Sequence, residues 1–209
     1  ATVSTLSFSG GGSLGLNNNG LIGTITDTTV GMDHTIRIAS GTTESDLVVL
    51  STTDSHTVTV IGQPDSVTKT DAVSFDATVD VSNLNKYFIP GAAISDPVTV
   101  HIGAATAVLS DIESVHFNNA NILIVGAGGY ASLSEASAAA NNGDVIYVTD
   151  FSLASGTTNG VINHSGLSIY IANGDGAQMT FASSLSGAEV RFYGNHSFNL
   201  TGTSGNDTI

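Results

Sequence analysis

Short runs of alternating apolar and polar residues, rich in β-branched side chains and followed by glycine, constrain the fold of this 209-residue chain most strongly. Such runs lie at residues 35–38, 57–60, 98–102 and 167–171, and the glycines that follow them are Gly41, Gly62, Gly103 and Gly174. A two-residue period bounded by turn-forming residues is typical of β-strands. The sequence therefore predicts an all-β fold.

A second series of strands begins just after an aspartate. Asp46, Asp71, Asp111 and Asp144 each stand directly before an apolar segment, and the intervals between them are irregular. Solenoid proteins stack strand-turn units that repeat along the chain, usually with a cleaner period than this. We therefore expect a degenerate stack of strand-turn units.

One helix is predicted, at residues 132–140. Leu133, Ala136 and Ala140 recur at helical spacing, Glu135 lies near the N-terminus, and the turn-forming segment 141–143 follows. This helix divides the chain into an irregular β-rich region, 1–120, and a second part, 121–209, with the helix and several further strands. The two parts form either two regions or one continuous solenoid domain.

Charge and composition exclude several functions. The chain has 4 Lys and Arg against 18 Asp and Glu, for a formal net charge of −14. Nucleic-acid binding needs a basic surface, so we expect no nucleic-acid partner. We also expect no membrane insertion, since no apolar run approaches the roughly 20 residues that span a bilayer. Cysteine is absent, which excludes disulfides and thiol chemistry.

A glycine-rich segment is close to a dinucleotide-binding fingerprint. Gly126, Gly128 and Ala131 follow an apolar run and precede the predicted helix, and Asp150 follows the next predicted strand. That motif works at the N-terminus of a helix in a doubly wound α/β sheet. Because the sequence shows no further β-α units, nucleotide binding is the weakest of three hypotheses.

The segment 129–148 resembles the start of right-handed parallel β-helices of the pectin-lyase-like type. There, a short amphipathic helix precedes a Gly-Asp turn, here Gly143 and Asp144, and the first strand of the β-helix, here 145–148. The resemblance implies that the helix caps the open end of a short parallel β-helix. An uncapped end would expose an apolar cross-section and unpaired strand edges.

The C-terminal segment 202–209 resembles the opening of a calcium-binding nonapeptide array of the RTX (repeats-in-toxin) type, and 107–118 is similar to stretches between such arrays. In that family, aspartate side chains and backbone carbonyls bind Ca²⁺ between successive turns. The resemblance implies a calcium-binding role for Gly205, Asn206 and Asp207. Asp144 and Asp175 complete the set of candidate calcium ligands.

The alternative role of these acids is purely structural, because aspartates in turns commonly accept hydrogen bonds from nearby backbone N–H groups without any ion. Under the calcium hypothesis, a divalent ion neutralises carboxylates that otherwise repel one another. Both roles remain open for each aspartate.

Together these features predict a structural or adhesive segment of a calcium-stabilised, RTX-type bacterial exoprotein. We expect an extracellular or cell-surface location, export by type I secretion with the signal beyond Ile209, and an S-layer-like or adhesin-like role. The expected partners are further copies of the chain, assembled end to end, or a cell-surface polysaccharide. We do not expect an enzyme.

The runner-up hypothesis is a carbohydrate-active β-helix: a polysaccharide lyase or epimerase fragment, or a glycan-binding module. Its candidate residues are Arg191 and the possible bases His164 and His196, with acids at Asp144, Asp150, Asp175 and Glu189. Tyr170 and Tyr193 fit either a core or a surface position. His34 and His56 are expected at exposed strand edges rather than as metal ligands.

Overall fold

The structure is a computed structural model, and it describes residues 6–8, 12–16, 24–28, 31–38, 45–53, 55–63 and 70–209. These residues are mostly β, which confirms the predicted β-rich character. None of the helices in the described ranges has the length or the apolar character required to cross a membrane.

Strands are numbered in chain order. They are β1 (Leu6–Phe8), β2 (Gly12–Leu16), β3 (Thr24–Asp27), β4 (His34–Ile38), β5 (Leu47–Leu50), β6 (Thr57–Ile61), β7 (Ala72–Phe75), β8 (Phe88–Ile89), β9 (Val98–Ile102), β10 (Ala105–Ser110), β11 (Ser114–Phe117), β12 (Ala120–Val125), β13 (Val145–Val148), β14 (Val161–Ile162), β15 (Leu167–Ile171), β16 (Ala177–Phe181), β17 (Val190–Tyr193) and β18 (Phe198–Thr201). The helices are α1 (Leu133–Ala139), α2 (Gly156–Asn159) and the 3-10 helices Val81–Lys86 and Phe151–Ala154.

A nine-stranded sheet runs through the described chain in the order β1-β3-β5-β7-β11-β12-β13-β15-β17. Its pairs are parallel except for the antiparallel hairpin of β11 and β12. We call the segment from one strand of this sheet to the next a repeat. The repeats before the β11–β12 hairpin are the N-terminal repeats, and those after it are the C-terminal repeats. After the hairpin, successive register partners are evenly spaced along the chain, as Ile122, Val145, Ser168 and Arg191 show.

Before the hairpin the spacing varies. The corresponding register partners there are Leu6, Ile25, Val48, Val73 and Val115. The interval between the last two is the longest, because residues 76–113 include a 3-10 helix and strands β8, β9 and β10 before the chain returns to the sheet. This insertion lengthens the interval between Asp71 and Asp111, and the interval between Asp111 and Asp144 contains the β11–β12 hairpin and α1.

Two smaller sheets accompany the long one. The six-stranded sheet has the order β2-β4-β6-β10-β9-β8 and is parallel from β2 to β10 and antiparallel from β10 to β8. The three-stranded sheet, β14-β16-β18, is parallel. In both sheets, apolar side chains alternate with polar ones along most strands, as expected for strands with one buried face.

The long sheet contributes to two hydrophobic cores. Ile122 and Ile124 of β12 belong to the first core, with side chains of the six-stranded sheet, whereas Leu123 and Val125 belong to the second, with α1 and the three-stranded sheet. Neighbouring residues of a strand point to opposite faces. Strand β12 therefore buries both faces, and the two cores meet across it.

An aromatic row runs through the first core. Tyr147 stacks on its register partner Tyr170 with ring centroids 5.8 Å apart, and it also contacts Phe88 at 5.0 Å. Tyr170 is buried and Tyr193, the next residue in register, is partly buried against the same core. Both tyrosines that sequence alone left open thus contribute to the core.

Helix α1 confirms the predicted helix within one residue at each end. Ser132 is its N-cap and accepts a hydrogen bond from the Glu135 N–H. Leu133 and Ala136 are fully buried in the second core, which explains their helical spacing. Helix α2 and the 3-10 helices were not predicted, because segments of four to six residues are too short to show a helical period.

The proposed division at 120/121 falls in the turn of the β11–β12 hairpin, and the nine-stranded sheet continues across it. Whether the chain forms two regions or one continuous domain remains a prediction.

Candidate metal centre

Asp207, the central residue of the predicted calcium site, acts as a turn cap. Its carboxylate accepts hydrogen bonds from the Ala188 N–H (3.1 Å), the Thr203 N–H (2.6 Å) and the Thr203 hydroxyl (2.8 Å). The Gly205 N–H donates to the same hydroxyl. Ca²⁺ needs oxygen ligands, and backbone N–H groups do not coordinate it. The contacts of Asp207 therefore fit backbone capping better than ion binding.

Asp144, which is buried, and Asp175, which is exposed, also accept hydrogen bonds from backbone N–H groups. Asp144 Oδ2 accepts from the Asn141 N–H at 2.7 Å. Asp175 Oδ1 accepts from the Ser197 N–H at 2.7 Å and from the Ser197 hydroxyl at 3.2 Å, and these hydrogen bonds lower the pKa of the Asp175 carboxyl. Asp144 closes a turn of the backbone, whereas Asp175 links its loop to Ser197 in the next repeat.

The predicted calcium ligands are not gathered into one acidic cluster. Among the described residues, Asp144, Asp175 and Asp207 belong to no group of three Asp, Glu, His or Cys side chains whose ligand atoms lie within 4.8 Å of one another. Calcium binding by Gly205, Asn206, Asp207, Asp144 and Asp175 remains a prediction.

The glycine-rich loop joins β12 to α1, and β13 returns parallel to β12. Gly126 and Gly128 have positive φ angles, and a Cβ at Gly128 would overlap the Asp111 carboxylate. The Ala131 N–H, at the start of α1, already donates to Glu135 Oε2 at 2.9 Å. Carboxylates thus occupy the place that a phosphate needs, so we do not propose a nucleotide site.

Three buried acids form a ladder across successive repeats. We call Asp46, Asp71 and Glu113, which are 4%, 2% and 7% exposed, the acid ladder. Asp71 Oδ1 accepts from the Asp46 N–H at 3.2 Å, and Glu113 Oε2 accepts from the Asp71 N–H at 2.6 Å. The carboxylates of Asp71 and Glu113 thus cap the backbone of the preceding repeat. The sequence series predicted Asp46 and Asp71 at such positions, but the third position belongs to Glu113 rather than Asp111.

Burial raises the pKa of the Glu113 carboxyl to about 8, and the nearby Asp71 adds to the rise. Removing a carboxylate from water disfavours its charged form. Glu113 is therefore largely protonated at neutral pH in the folded protein. A proton thus neutralises this member of the acid ladder.

Most candidate residues of the carbohydrate-active hypothesis lie on the surface of the C-terminal repeats, but Asp144 is buried. Arg191 pairs with Glu189 at 2.9 Å, and both side chains are more than half exposed. His164 and Glu189 line an open polar hollow together with Asn142, Ser165 and Gly166. His196 instead lies near Asp175, 3.6 Å from its carboxylate, and contacts the Ala172 carbonyl oxygen.

A buried cluster of Asp27, His34 and His56 is the strongest candidate for a metal centre in the described chain, and we call it the Asp-His-His cluster. Asp27 Oδ2 lies 3.1 Å from His34 Nε2 and 3.7 Å from His56 Nε2. The three side chains are 0–3% exposed. The imidazole rings lie 5.3 Å apart, and each of the three residues offers a ligand atom within 4.8 Å of those of the other two.

The fold brings these side chains together from two repeats. Asp27 ends β3, His34 begins β4, and His56 directly precedes β6, which pairs in parallel with β4. Asp33 Oδ1 accepts from the Thr57 N–H at 2.7 Å, and this hydrogen bond links the residue before β4 to the first residue of β6.

The expectation that His34 and His56 are exposed was wrong, since the whole residues, backbone included, are only 5% and 6% exposed. The alternation of apolar and polar residues along one strand does not show whether the next repeat covers the end of that strand. The signal in the sequence that could have placed the two histidines together was their spacing. His56 lies two residues before Val58, which is the register partner of His34 in the next repeat.

Comparison with protein-family models, with curated proteins and with solved structures found no match to this chain.

Proposed function

We propose that this chain is a structural segment, a β-solenoid that provides a defined length of rigid β-structure within a longer extracellular or cell-surface protein. Nine strands at about 4.8 Å per strand give a stack about 38 Å long. In this proposal, the helix α1 packs against the C-terminal repeats and covers part of their core.

The constant register of the C-terminal repeats carries the proposal. Three successive parallel pairs advance by the same interval along the chain, so residue types recur at equivalent positions. Tyr147, Tyr170 and Tyr193 form such a column. Stacking of equivalent residues on neighbouring units is the feature that stabilises solenoid proteins.

The outward faces of the smaller sheets are mainly neutral and polar. In the three-stranded sheet, Gln178, Asn199 and Thr201 are exposed. In the six-stranded sheet, the partly exposed positions include Thr35, Thr57, Thr59, Thr99 and Thr106. A catalytic β-helix instead needs bases, acids and cations stacked on one face. The neutral faces favour a scaffold that contacts a polysaccharide or a further copy of the chain.

The proposed setting is an RTX-type exoprotein, by the resemblance of segments 107–118 and 202–209. Extracellular export by type I secretion and stabilisation by calcium belong to this proposal. The hydrogen bonds that Asp144, Asp175 and Asp207 accept from backbone N–H groups support the structural function whether or not an ion is bound.

A second candidate function, a carbohydrate-active module, is favoured by the polar hollow that His164 and Glu189 line beside Arg191. A histidine next to a carboxylate is a combination that proton abstraction from a uronic acid could use.

One assay separates the two functions. The full chain is incubated with polygalacturonate or alginate, and β-elimination is followed by the ultraviolet absorbance of the unsaturated product. We expect no product from the wild-type chain. Product formation that His164→Gln abolishes and His101→Gln leaves intact would overturn the structural proposal in favour of a lyase.

A further inference from the structure

We propose that the Asp-His-His cluster binds one divalent transition-metal ion, with Zn²⁺ as the best-matched ion, through Asp27 Oδ2, His34 Nε2 and His56 Nε2. The proposal is independent of the structural function, because it concerns a site in the N-terminal repeats and rests on its own geometry.

The tautomer of His34 is fixed by a backbone contact. His34 Nδ1 lies 3.0 Å from the Met32 carbonyl oxygen, which can only accept a hydrogen bond. Nδ1 therefore carries a proton, and in the neutral ring Nε2 carries a lone pair. A hydrogen bond from the distal nitrogen to a carbonyl is the arrangement that orients metal-binding histidines.

The lone pair of His34 Nε2 faces a carboxylate oxygen. Asp27 Oδ2 lies 3.1 Å from this nitrogen, and His56 Nε2 approaches the same oxygen to 3.7 Å. A nitrogen lone pair and a carboxylate oxygen repel each other at such distances unless a positive charge lies between them. A proton on one ring bridges a single pair, whereas a metal ion satisfies all three atoms.

The distances fit a small tetrahedral ion. Zn–N and Zn–O bonds of about 2.0–2.1 Å place neighbouring ligand atoms about 3.3–3.4 Å apart. The two measured separations, 3.1 and 3.7 Å, lie on either side of this value. Three protein ligands are a common set for zinc, with water as the fourth ligand.

The ligand types select against calcium. Ca²⁺ takes six to eight oxygen ligands, whereas imidazole nitrogen suits zinc and related transition metals. The cluster offers two imidazoles and one carboxylate. This is therefore a different kind of site from the one that the C-terminal resemblance implies.

An ion at this position would cross-link two repeats. Asp27 is the last residue of β3 and His34 the first of β4, and His56 precedes β6 in the following repeat. Binding would then stabilise the N-terminal repeats, because the ligands come together only in the folded chain.

Metal binding is tested on the full chain, purified without a histidine tag and stripped with a chelator. Co²⁺ is titrated as the spectroscopic probe, and Zn²⁺ is added as competitor. We expect one Co²⁺ per chain with the intense visible bands of four-coordinate cobalt, and stoichiometric displacement by Zn²⁺. His56→Gln should weaken Co²⁺ binding at least a hundredfold, and the matched control His101→Gln, on the exposed face of β9, should not change it.

Imidazole ¹⁵N signals of the wild-type chain provide a second readout that does not depend on a variant that folds. Zn²⁺ should shift the signals of His34 and His56 and leave that of His101 in place. The proposal is overturned if excess Zn²⁺ shifts neither signal, which would leave a protonated His34 paired with Asp27. It is also overturned if a folded His56→Gln variant binds Co²⁺ as tightly as the wild type.

Discussion

Buried acids link the N-terminal repeats at the scale of single residues. In the acid ladder, the carboxylates of Asp71 and Glu113 each accept a hydrogen bond from the backbone N–H of the acid one repeat earlier. The arrangement satisfies buried N–H groups that would otherwise be costly. It also places carboxyl groups close together, and Glu113 responds by remaining protonated at neutral pH.

Glu113 should make the stability of the protein fall as the pH rises. In the unfolded chain its carboxyl ionises near 4.5, and in the folded protein near 8. Between these values the folded state holds the extra proton, so the free energy of unfolding decreases with increasing pH. One pKa unit corresponds to about 1.4 kcal/mol, so the contribution amounts to several kcal/mol at most.

Glu113→Gln should remove this pH dependence, because an amide does not titrate. The amide oxygen can still accept from the Asp71 N–H. Urea unfolding between pH 5 and pH 8 measures the effect. The difference in unfolding free energy between variant and wild type should grow in favour of the variant as the pH rises. A constant difference would contradict the assignment. Glu189→Gln, a change of an exposed acid, serves as the control.

Asp207→Ala distinguishes a turn cap from a calcium ligand. Loss of the hydrogen bonds to Ala188 and Thr203 should lower the Tm by a few degrees, equally in calcium and in EGTA. A Tm loss seen only in calcium, together with a wild-type Tm that rises on adding calcium, would support the RTX-type site instead. Asn199→Ala, a change on the exposed face of β18, is the control.

At the scale of secondary-structure elements, helix α1 shows how local sequence and packing agree. Ser132 and Glu135 cap its first turn, and Leu133 and Ala136 face the second core. Both signals are local, so this helix could be predicted from the sequence. The same holds for strands such as β9, β13 and β15, whose bounds match their alternating or apolar runs.

Sheet order and the metal centre could not be predicted in this way. The antiparallel β11–β12 hairpin and the insertion at 76–113 depend on contacts between distant segments. The Asp-His-His cluster depends on which strand ends meet in neighbouring repeats. Local periodicity contains neither kind of information, although the spacing of His34 and His56 becomes informative once the repeat length is known.

Ser132→Ala should destabilise the protein by about 1 kcal/mol, the usual cost of losing a helix N-cap. Ser132→Thr keeps an acceptor for the Glu135 N–H and should retain most of the stability. Thermal and urea unfolding measure both changes. Equal stability of wild type and Ser132→Ala would show that the cap contributes nothing to the fold.

At the scale of the whole molecule, one long sheet connects two cores on its opposite faces. The six-stranded sheet packs against one face, α1 and the three-stranded sheet pack against the other, and β12 belongs to both cores. This arrangement should couple the unfolding of the two parts of the described chain.

Ile122→Ala and Leu123→Ala test the coupling, since these neighbours point into different cores. Each should cost about 2–5 kcal/mol, as expected for a fully packed site that loses several methyl groups. We expect both variants to keep a single unfolding transition, measured by circular dichroism and by tyrosine fluorescence. Separate transitions for the two parts would show that the cores are independent.

The central claim is that the C-terminal repeats stack in parallel with an even spacing along the chain. Because the chain lacks cysteine, a pair of introduced cysteines can report on register. Ser168 and Arg191 are direct partners on β15 and β17, so their Cα atoms should lie about 4.8 Å apart, within disulfide range. Glu189 is two positions out of register, at about 8 Å from Ser168, and lies beyond that range.

The most direct measurement is therefore intramolecular disulfide formation, quantified by mass spectrometry after mild oxidation of the folded chain. Ser168→Cys with Arg191→Cys should form the bond readily, and Ser168→Cys with Glu189→Cys should form it poorly. Equal yields, or a higher yield for the second pair, would contradict the stacked register on which the structural function rests.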